Sequence, residues 1–366
     1  MNSKWKVVLK NGGFFILLII ITAYIVFKDN DVHDIIKAVS QADFRYIALG
    51  IGAMWIFLYC EAYNIVRALR LFGYKIKLRC GLKYALTGFF FSSVTPSASG
   101  GQPMQIYHMY RDGIEVSHGT LALLFELLSF VTVTVLLAVA GLAFQHELIF
   151  SLGNVKYLLL LGVGLNVTVA VLLIFAIFSP KAIGFLASAL IRAVSAFSRE
   201  KAESLREMTE RQLAEYGQSA GYFKKNKLIF VKTLVTTTVQ MFSMYAVPYL
   251  VYRAFGFDDF HLLEVLSLQA VLYVSVSALP LPGALGVSES TFMVLFRTLF
   301  PSSVLGSAMI LSRGISFYLF VLISGLFVAG FTLTGKKKKE KKHGLHNINC
   351  GGRQGYRQSS QALSGE

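Results

Sequence analysis

An apolar run enters the stretch Ser275–Thr291 (SVSALPLPGALGVSEST) and a second, Phe292–Phe300, leaves it; between them stand two prolines, two glycines and one carboxylate, Glu289. In a soluble loop such punctuation would be routine. Inside a hydrophobic stretch it is a constraint, because a helix that breaks at membrane depth frees backbone N–H and C=O groups that lipid cannot satisfy. A break of this kind survives only where protein buries it or where it lines a wet cavity. The rest of the chain has to be arranged around it.

The surroundings are those of a polytopic membrane protein: 366 residues, 55% hydrophobic and only 15% charged, with a mean hydropathy of +0.59. Several runs reach the roughly 20 apolar residues needed to cross a bilayer. The net charge of +15 comes from Lys and Arg between spans and in the tail. That is the positive-inside pattern, and it argues against nucleic acid as a partner. Cys60, Cys80 and Cys350 form no CxxC pair and no metal spacing with His, and there is no Walker, G-x-S-x-G or HExxH motif. No catalytic residue, cofactor or metal is expected.

In chain order, Lys4, Lys6 and Lys10 precede a first span, Gly12–Phe27, with no small-residue cleavage pattern after it. An interfacial amphipathic helix is expected over Asp31–Arg45 and a second span over Tyr46–Val66, closed by Arg67, Arg70, Lys75, Lys77, Arg79 and Lys83. Tyr84–Tyr110 is broken at its centre by SSVTPSASGGQP (Ser92–Pro103), so it reads as two half-helices that enter and return on one side. The third span, Gly119–Phe144, carries Glu126; the fourth is Val155–Phe178; Ser179–Lys227 is a charged amphipathic linker. A fifth span, Leu228–Val251, carries Pro248 and leads into the second broken pair, Leu262–Phe300. The last span, Val304–Leu333, contains Arg313, and a basic tail from Gly335 is expected to be disordered. The fold class is therefore an all-α polytopic membrane protein, with about six full spans and two re-entrant broken-helix pairs. Its expected units are 1–45, 46–145, 146–227, 228–334 and 335–366. Both termini are placed in the cytoplasm.

The two broken segments align in one register: Pro96 with Pro282, Ala98 with Ala284, Gly100 with Gly286, Arg111 with Arg297. One residue out of it come Gly119 with Gly306, Ser129 with Ser316 and Phe130 with Phe317, while upstream Phe72-Gly73 matches Phe255-Gly256. Charge places the two breaks on opposite sides of the membrane. Similar units of opposite orientation are the mark of inverted-repeat transporters, whose binding site lies where the breaks meet. The same alignment pairs Glu126 with Arg313, so the two are expected to meet near the twofold axis. Such a pair either holds the halves together or opens to admit a charged headgroup.

LPLPGALGVSE (Leu279–Glu289), followed by a span bearing Arg313, resembles the proline–glycine signature in the membrane domain of bacterial lysylphosphatidylglycerol synthases and their stand-alone, flippase-like relatives. TPSASGGQPMQIY (Thr95–Tyr107) and the span with Glu126 are similar to the family's first-half elements. The resemblance implies a bacterial cytoplasmic-membrane protein that moves aminoacylated phosphatidylglycerol between leaflets and so confers resistance to cationic peptides. It implies phospholipid headgroups and the bilayer as partners, with a separate aminoacyl-lipid synthase beside them, and it is compatible with an oligomer. The alternative it carries is phosphatidylglycerol lysyltransferase activity. The chain offers no room for the soluble domain that makes the lipid, so synthesis by this chain alone is not expected. Where relatives carry a carboxylate near the first break this sequence has Gln102, and Leu127 stands where a basic residue often follows the span glutamate.

For a lipid headgroup, the half-helix N-termini near Gly101-Gln102-Pro103 and Ser288-Glu289 offer bare N–H groups and a partial positive charge to a phosphate. Pro103 suits a first helical turn and Ser288 a cap. Ser97, Ser99, Gln102 and Ser288 are candidate hydrogen-bonding groups, Arg313 the counter-charge to an anion, and Glu126 or Glu289 that to an ammonium group. Gly100, Gly101, Pro282, Gly283 and Gly286 shape the breaks and allow close approach. His108 with Asp112 falls at the membrane edge and reads as interface anchoring.

Overall fold

The computed structural model describes residues 37, 39–146, 155–179, 188, 226–277, 279 and 282–339. The expected first span, the first part of the interfacial helix (31–36 and 38), nearly all of the charged linker and the tail beyond Lys339 lie outside them. The elements in the described residues are all helical. Helix α1 (Phe44–Leu71) is followed by the first broken pair: α2 (Leu78–Val94), a 3-10 turn at Pro96–Ala98 and α3 (Gly101–Arg111). Two long helices come next, α4 (Val116–Phe144) and α5 (Val155–Phe178). Then α6 (Lys227–Tyr245) bends into α7 (Val247–Ala254). The second broken pair is α8 (Leu262–Ser277), a turn at Pro282–Ala284 and α9 (Val287–Leu295). A last rod consists of α10 (Ser302–Arg313), a π-helical turn at Gly314–Tyr318 and α11 (Leu319–Lys339). Helix α11 thus runs past Gly335, where a disordered tail was expected to begin.

Among the described residues, five helical stretches are long and apolar enough to cross a membrane: Phe44–Leu71, Val116–Phe144, Lys156–Ile177, Leu228–Ala254 and Ser302–Phe331. Local chemistry sets their ends. Asp43 accepts the Arg45 N–H at 2.8 Å to start α1, and the Asp43 N–H donates to the Ala254 carbonyl at 2.8 Å, pinning the start of α1 to the end of α7. The α6–α7 bend falls at Ala246, with Pro248 in the first turn of α7, where a missing N–H is tolerated.

The halves interlock reciprocally: α4 of the first packs on α8 of the second, while α11 of the second packs on α2 of the first. Helices α1 and α6 pack side by side, and the Pro96–Ala98 turn lies against the Pro282–Ala284 turn. Reciprocal exchange of this kind is what a twofold relation between the two halves produces. Matching extends to backbone conformation. Ala98 and Ala284 both adopt positive φ, 54° and 52°, and the turns after α1 and α7 both end on a positive-φ glycine, Gly73 and Gly256. Two unrelated loops would not place a non-glycine residue in the left-handed region at the same register.

Lipid gives apolar side chains no reason to prefer protein, so helices here associate through close packing and buried hydrogen bonds. Leu160, Leu172 and Phe175 of α5 are left facing outward, while a Cβ on Gly162 would run into the Val274 carbonyl of α8. Beside it the Asn166 amide donates to the Gly162 carbonyl at 2.8 Å and to Ser277 Oγ at 3.0 Å. Between α1 and α6, Asn64 Nδ2 donates to Thr237 Oγ1 at 3.1 Å and Arg67 Nη2 to Thr236 Oγ1 at 2.8 Å. Bonds of this kind contribute about 0.6 kcal/mol each on average.

Candidate functional site

The touching breaks form part of the wall of a cavity of about 320 Å³. Glu61 of α1 and Glu126 of α4 line it, as do Gln102 and Gln105 of α3, Gln240 of α6, and Gln269 and Tyr273 of α8. From the second break and the last rod come Gly283, Ala284, Ser288, Arg313, Ser316 and Phe317. Among the described helices, only α5 and α11 contribute no residue to its lining.

At the second break the chain leaves α8, turns through Gly283 at φ 58° and restarts as α9 after Gly286 at φ 82°. A Cβ on Gly283 would enter the Phe317 ring, so the turn needs glycine for conformation and for space. The Gly286 N–H donates to Glu289 Oε2 at 2.6 Å, making Glu289 the side chain that caps α9. Arg313 Nε donates to Glu289 Oε1 at 2.9 Å, Arg313 Nη2 to the Gly283 carbonyl at 3.1 Å, and Tyr318 Oη to Glu289 Oε1 at 3.2 Å. The guanidinium also lies 4.6 Å from the Phe317 ring centroid. A buried carboxylate, 1% exposed, is therefore satisfied on both oxygens, and the broken backbone is tied to the last rod.

Three expectations change on this geometry. Arg313 pairs with Glu289 and not with Glu126: the Pro282–Ala284 turn brings Glu289 in behind the guanidinium, while Glu126 lies within electrostatic reach of Glu61. Ser288 does not cap α9, because the cap position falls two residues earlier, at Gly286. Glu289 is not free to meet an ammonium group, since its oxygens are taken by Gly286, Arg313 and Tyr318.

Of the candidate residues, Gln102, Glu126, Gly283, Ser288 and Arg313 line the cavity together. Gly100, Gly101 and Gly286 sit in the breaks outside its lining, and Ser99 is solvent-exposed at the end of the first turn. Pro96 and Pro282 open the two turns, and the side chains of Ser97 and Pro282 lie outside what is described. The first break is held differently from the second. Thr95 Oγ1 accepts the Gly100 N–H at 2.8 Å and donates to the Phe91 carbonyl at 2.6 Å, with no ion pair behind it.

Sequence reasoning missed Glu61, Gln105, Gln240, Gln269 and Tyr273. Gln105 Nε2 donates to Glu61 Oε1 at 3.3 Å and to the Tyr84 carbonyl at 3.2 Å. Tyr273 lines the cavity within electrostatic reach of Glu61, Glu126 and Arg313. The missed signal was a charged or amide side chain in the middle of an apolar run. Glu61 stands between Tyr46 and Arg67 as Glu126 stands between Gly119 and Phe144. Away from the cavity, Asp112 accepts from Lys83 at 2.8 Å and from the Tyr84 hydroxyl at 2.7 Å.

A family profile described as the lysylphosphatidylglycerol synthase TM region matches residues 12–324. The chain belongs to that family. It is also similar to a UPF0104 membrane protein of Archaeoglobus fulgidus, 26% identical over 264 residues that cover 70% of this chain and 77% of the relative. The family name links these membrane helices to lipid modification. It covers both breaks, both carboxylate-bearing helices of the first half and Arg313.

Proposed function

We propose that the chain holds a phospholipid by its headgroup in this cavity and carries it between leaflets, as a flippase-like translocase. The observation that carries the reading is the polar cavity at the meeting point of two broken helices within helices of bilayer length. At about 320 Å³ its size is that of a headgroup and not of a whole lipid, so the acyl chains stay in the bilayer. A phosphodiester at Arg313 finds the Nη1 donors, which have no protein partner among the described residues, with Ser288 and Gln102 also in the lining. An ammonium group, as in aminoacylated phosphatidylglycerol, finds Glu126 in the same cavity.

The test is transfer of a labelled phospholipid in vesicles containing the purified chain, without ATP. Faster exchange between leaflets than in protein-free vesicles is expected, and Arg313→Ala, checked for folding, is expected to lose it. Transport by Arg313→Ala at the wild-type rate would sink the site assignment. Lipids from a host expressing this chain alone decide the alternative, since a new aminoacyl lipid there would make the chain a phosphatidylglycerol lysyltransferase.

A further inference from the structure

Charge is unevenly distributed across the cavity. The second-half wall is neutral, because Arg313 is compensated by Glu289. The first-half wall carries Glu61 and Glu126, and among the described residues neither has a cationic partner. They are close enough to repel one another, and the hydrogen bond that reaches Glu61 is the 3.3 Å contact from Gln105. Two like charges in a cavity walled by hydrocarbon-depth helices do not persist without a positive charge between them.

A second and independent observation points to an occupant. Gln240 is 0% exposed and lines the cavity, yet neither its Oε1 nor its Nε2 has a hydrogen-bond partner. Gln269, on the same wall, also has its Oε1 unpartnered. Buried amides are ordinarily satisfied, so these carbonyl oxygens mark a place meant for a donor or a cation. Sharing the cavity lining with the two carboxylates are Gln105 from α3, which bonds Glu61, Gln240 from α6, Gln269 and Tyr273 from α8, and Arg313 from α10, the last already paired. The cavity lining holds carboxylate, amide and hydroxyl oxygens and no Cys or His, with the Met244 thioether as its one sulfur, which suits a small hard cation.

We infer that Glu61 and Glu126, with the amide oxygens of Gln240 and Gln269, form a site for one monovalent inorganic cation, a proton or Na⁺, inside the cavity proposed for the lipid headgroup. The inference rests on that reading for its biological meaning, in which the cation neutralises the acidic wall whenever no cationic headgroup is there. Cation binding itself is tested without lipid transport.

The thermal midpoint of the purified chain is measured at fixed ionic strength, first with NaCl replacing choline chloride and then across pH in choline chloride alone. A Na⁺ site predicts a midpoint that climbs with each decade of Na⁺, with an apparent affinity that weakens about tenfold per pH unit once protons compete. A proton site predicts no Na⁺ response and a midpoint that climbs as pH falls. In either case Glu61→Gln/Glu126→Gln, which keeps shape and removes charge, is expected to flatten the response. The inference is overturned if wild type responds to neither cation, or if the double variant, monodisperse and helical, responds as wild type does. Should the double variant fail to fold, Na⁺–proton competition in wild type and ²²Na⁺ binding at high pH decide between the sources, and absence of any wild-type response again overturns the site. Native mass spectrometry of retained lipid reports separately. Lipid retained with no cation response defeats only this inference, and a cation response with no lipid defeats only the translocase reading.

Discussion

Removing the Glu289 carboxylate is the most informative single perturbation, because that one group serves two structures. Glu289→Ala leaves the Arg313 guanidinium without its counter-ion and the Gly286 N–H without its acceptor. Stripping one partner from a buried pair costs about 3–5 kcal/mol. Arg313 keeps the Gly283 carbonyl and borders the cavity, with 16% of its side chain exposed, so the lower end, about 3 kcal/mol, is appropriate here. Loss of the cap adds about 1 kcal/mol. At about 2 °C per kcal/mol for a chain of this size, the thermal midpoint in detergent should fall by roughly 8 °C. The decisive arm is the neutral double variant Glu289→Gln/Arg313→Gln, which keeps the shape at 289 and an amide able to hydrogen-bond at each position while removing both charges. It should recover most of the loss, because the cost of the single change is an uncompensated charge and not a missing contact. A single variant within 1–2 °C of wild type, or a double variant no better than Glu289→Ala, would refute this account of the second break.

Three further outcomes follow from the same geometry. Gly283→Ala should lower the midpoint by the equivalent of about 2 kcal/mol and weaken lipid retention in native mass spectrometry, because its Cβ meets the Phe317 ring in a left-handed turn. Ala284→Gly should match or exceed wild-type stability, by up to about 1 kcal/mol, whereas Ala284→Val should be clearly less stable, since φ is 52° there. Asn166→Leu, which removes the bond to Ser277 where α5 meets α8, should cost only about 1 kcal/mol in midpoint terms and leave lipid retention unchanged, α5 having no wall in the cavity.

Much of this architecture was legible because breaks are written in residue types. Proline and glycine inside apolar runs located both breaks, and their alignment anticipated that the breaks would meet and paired Ala98 with Ala284, which the structure shows in the same left-handed conformation. Ser129 and Ser316, paired by the same alignment, both donate back to the carbonyl four residues earlier, at 3.0 and 2.7 Å. What could not be read was which charge meets which. The alignment set Glu126 opposite Arg313 as equivalents, but equivalence under a twofold axis fixes position and not partnership. Glu289 stands closer along the chain, and the turn at Gly283 delivers it to Arg313 first. Gln240 and Gln269 were hidden for a different reason. A lone amide in an apolar span has no spacing signature, and only packing reveals that its polar atoms have been left without partners.

The broken symmetry is itself an argument about how such a site operates. Two copies of one scaffold would, if chemically identical, give a cavity that treats both leaflets alike and holds its occupant with equal strength from each side. Here the shared backbone carries different chemistry. One break is held by a threonine hydroxyl, the other by an ion pair. One wall carries uncompensated carboxylates, the other a compensated arginine. A zwitterionic headgroup entering such a cavity would be oriented by it, amine toward α1 and α4 and phosphate toward α10, whichever leaflet it came from. In the proposed translocase, motion that exposes one break and then the other would leave the headgroup's polar contacts in place while its tails change leaflet. On this argument, exchanging the charges of the two walls should invert headgroup preference, and it should also lower the thermal midpoint unless Glu289 is changed with Arg313, because the ion pair that holds the second break is lost with the arginine.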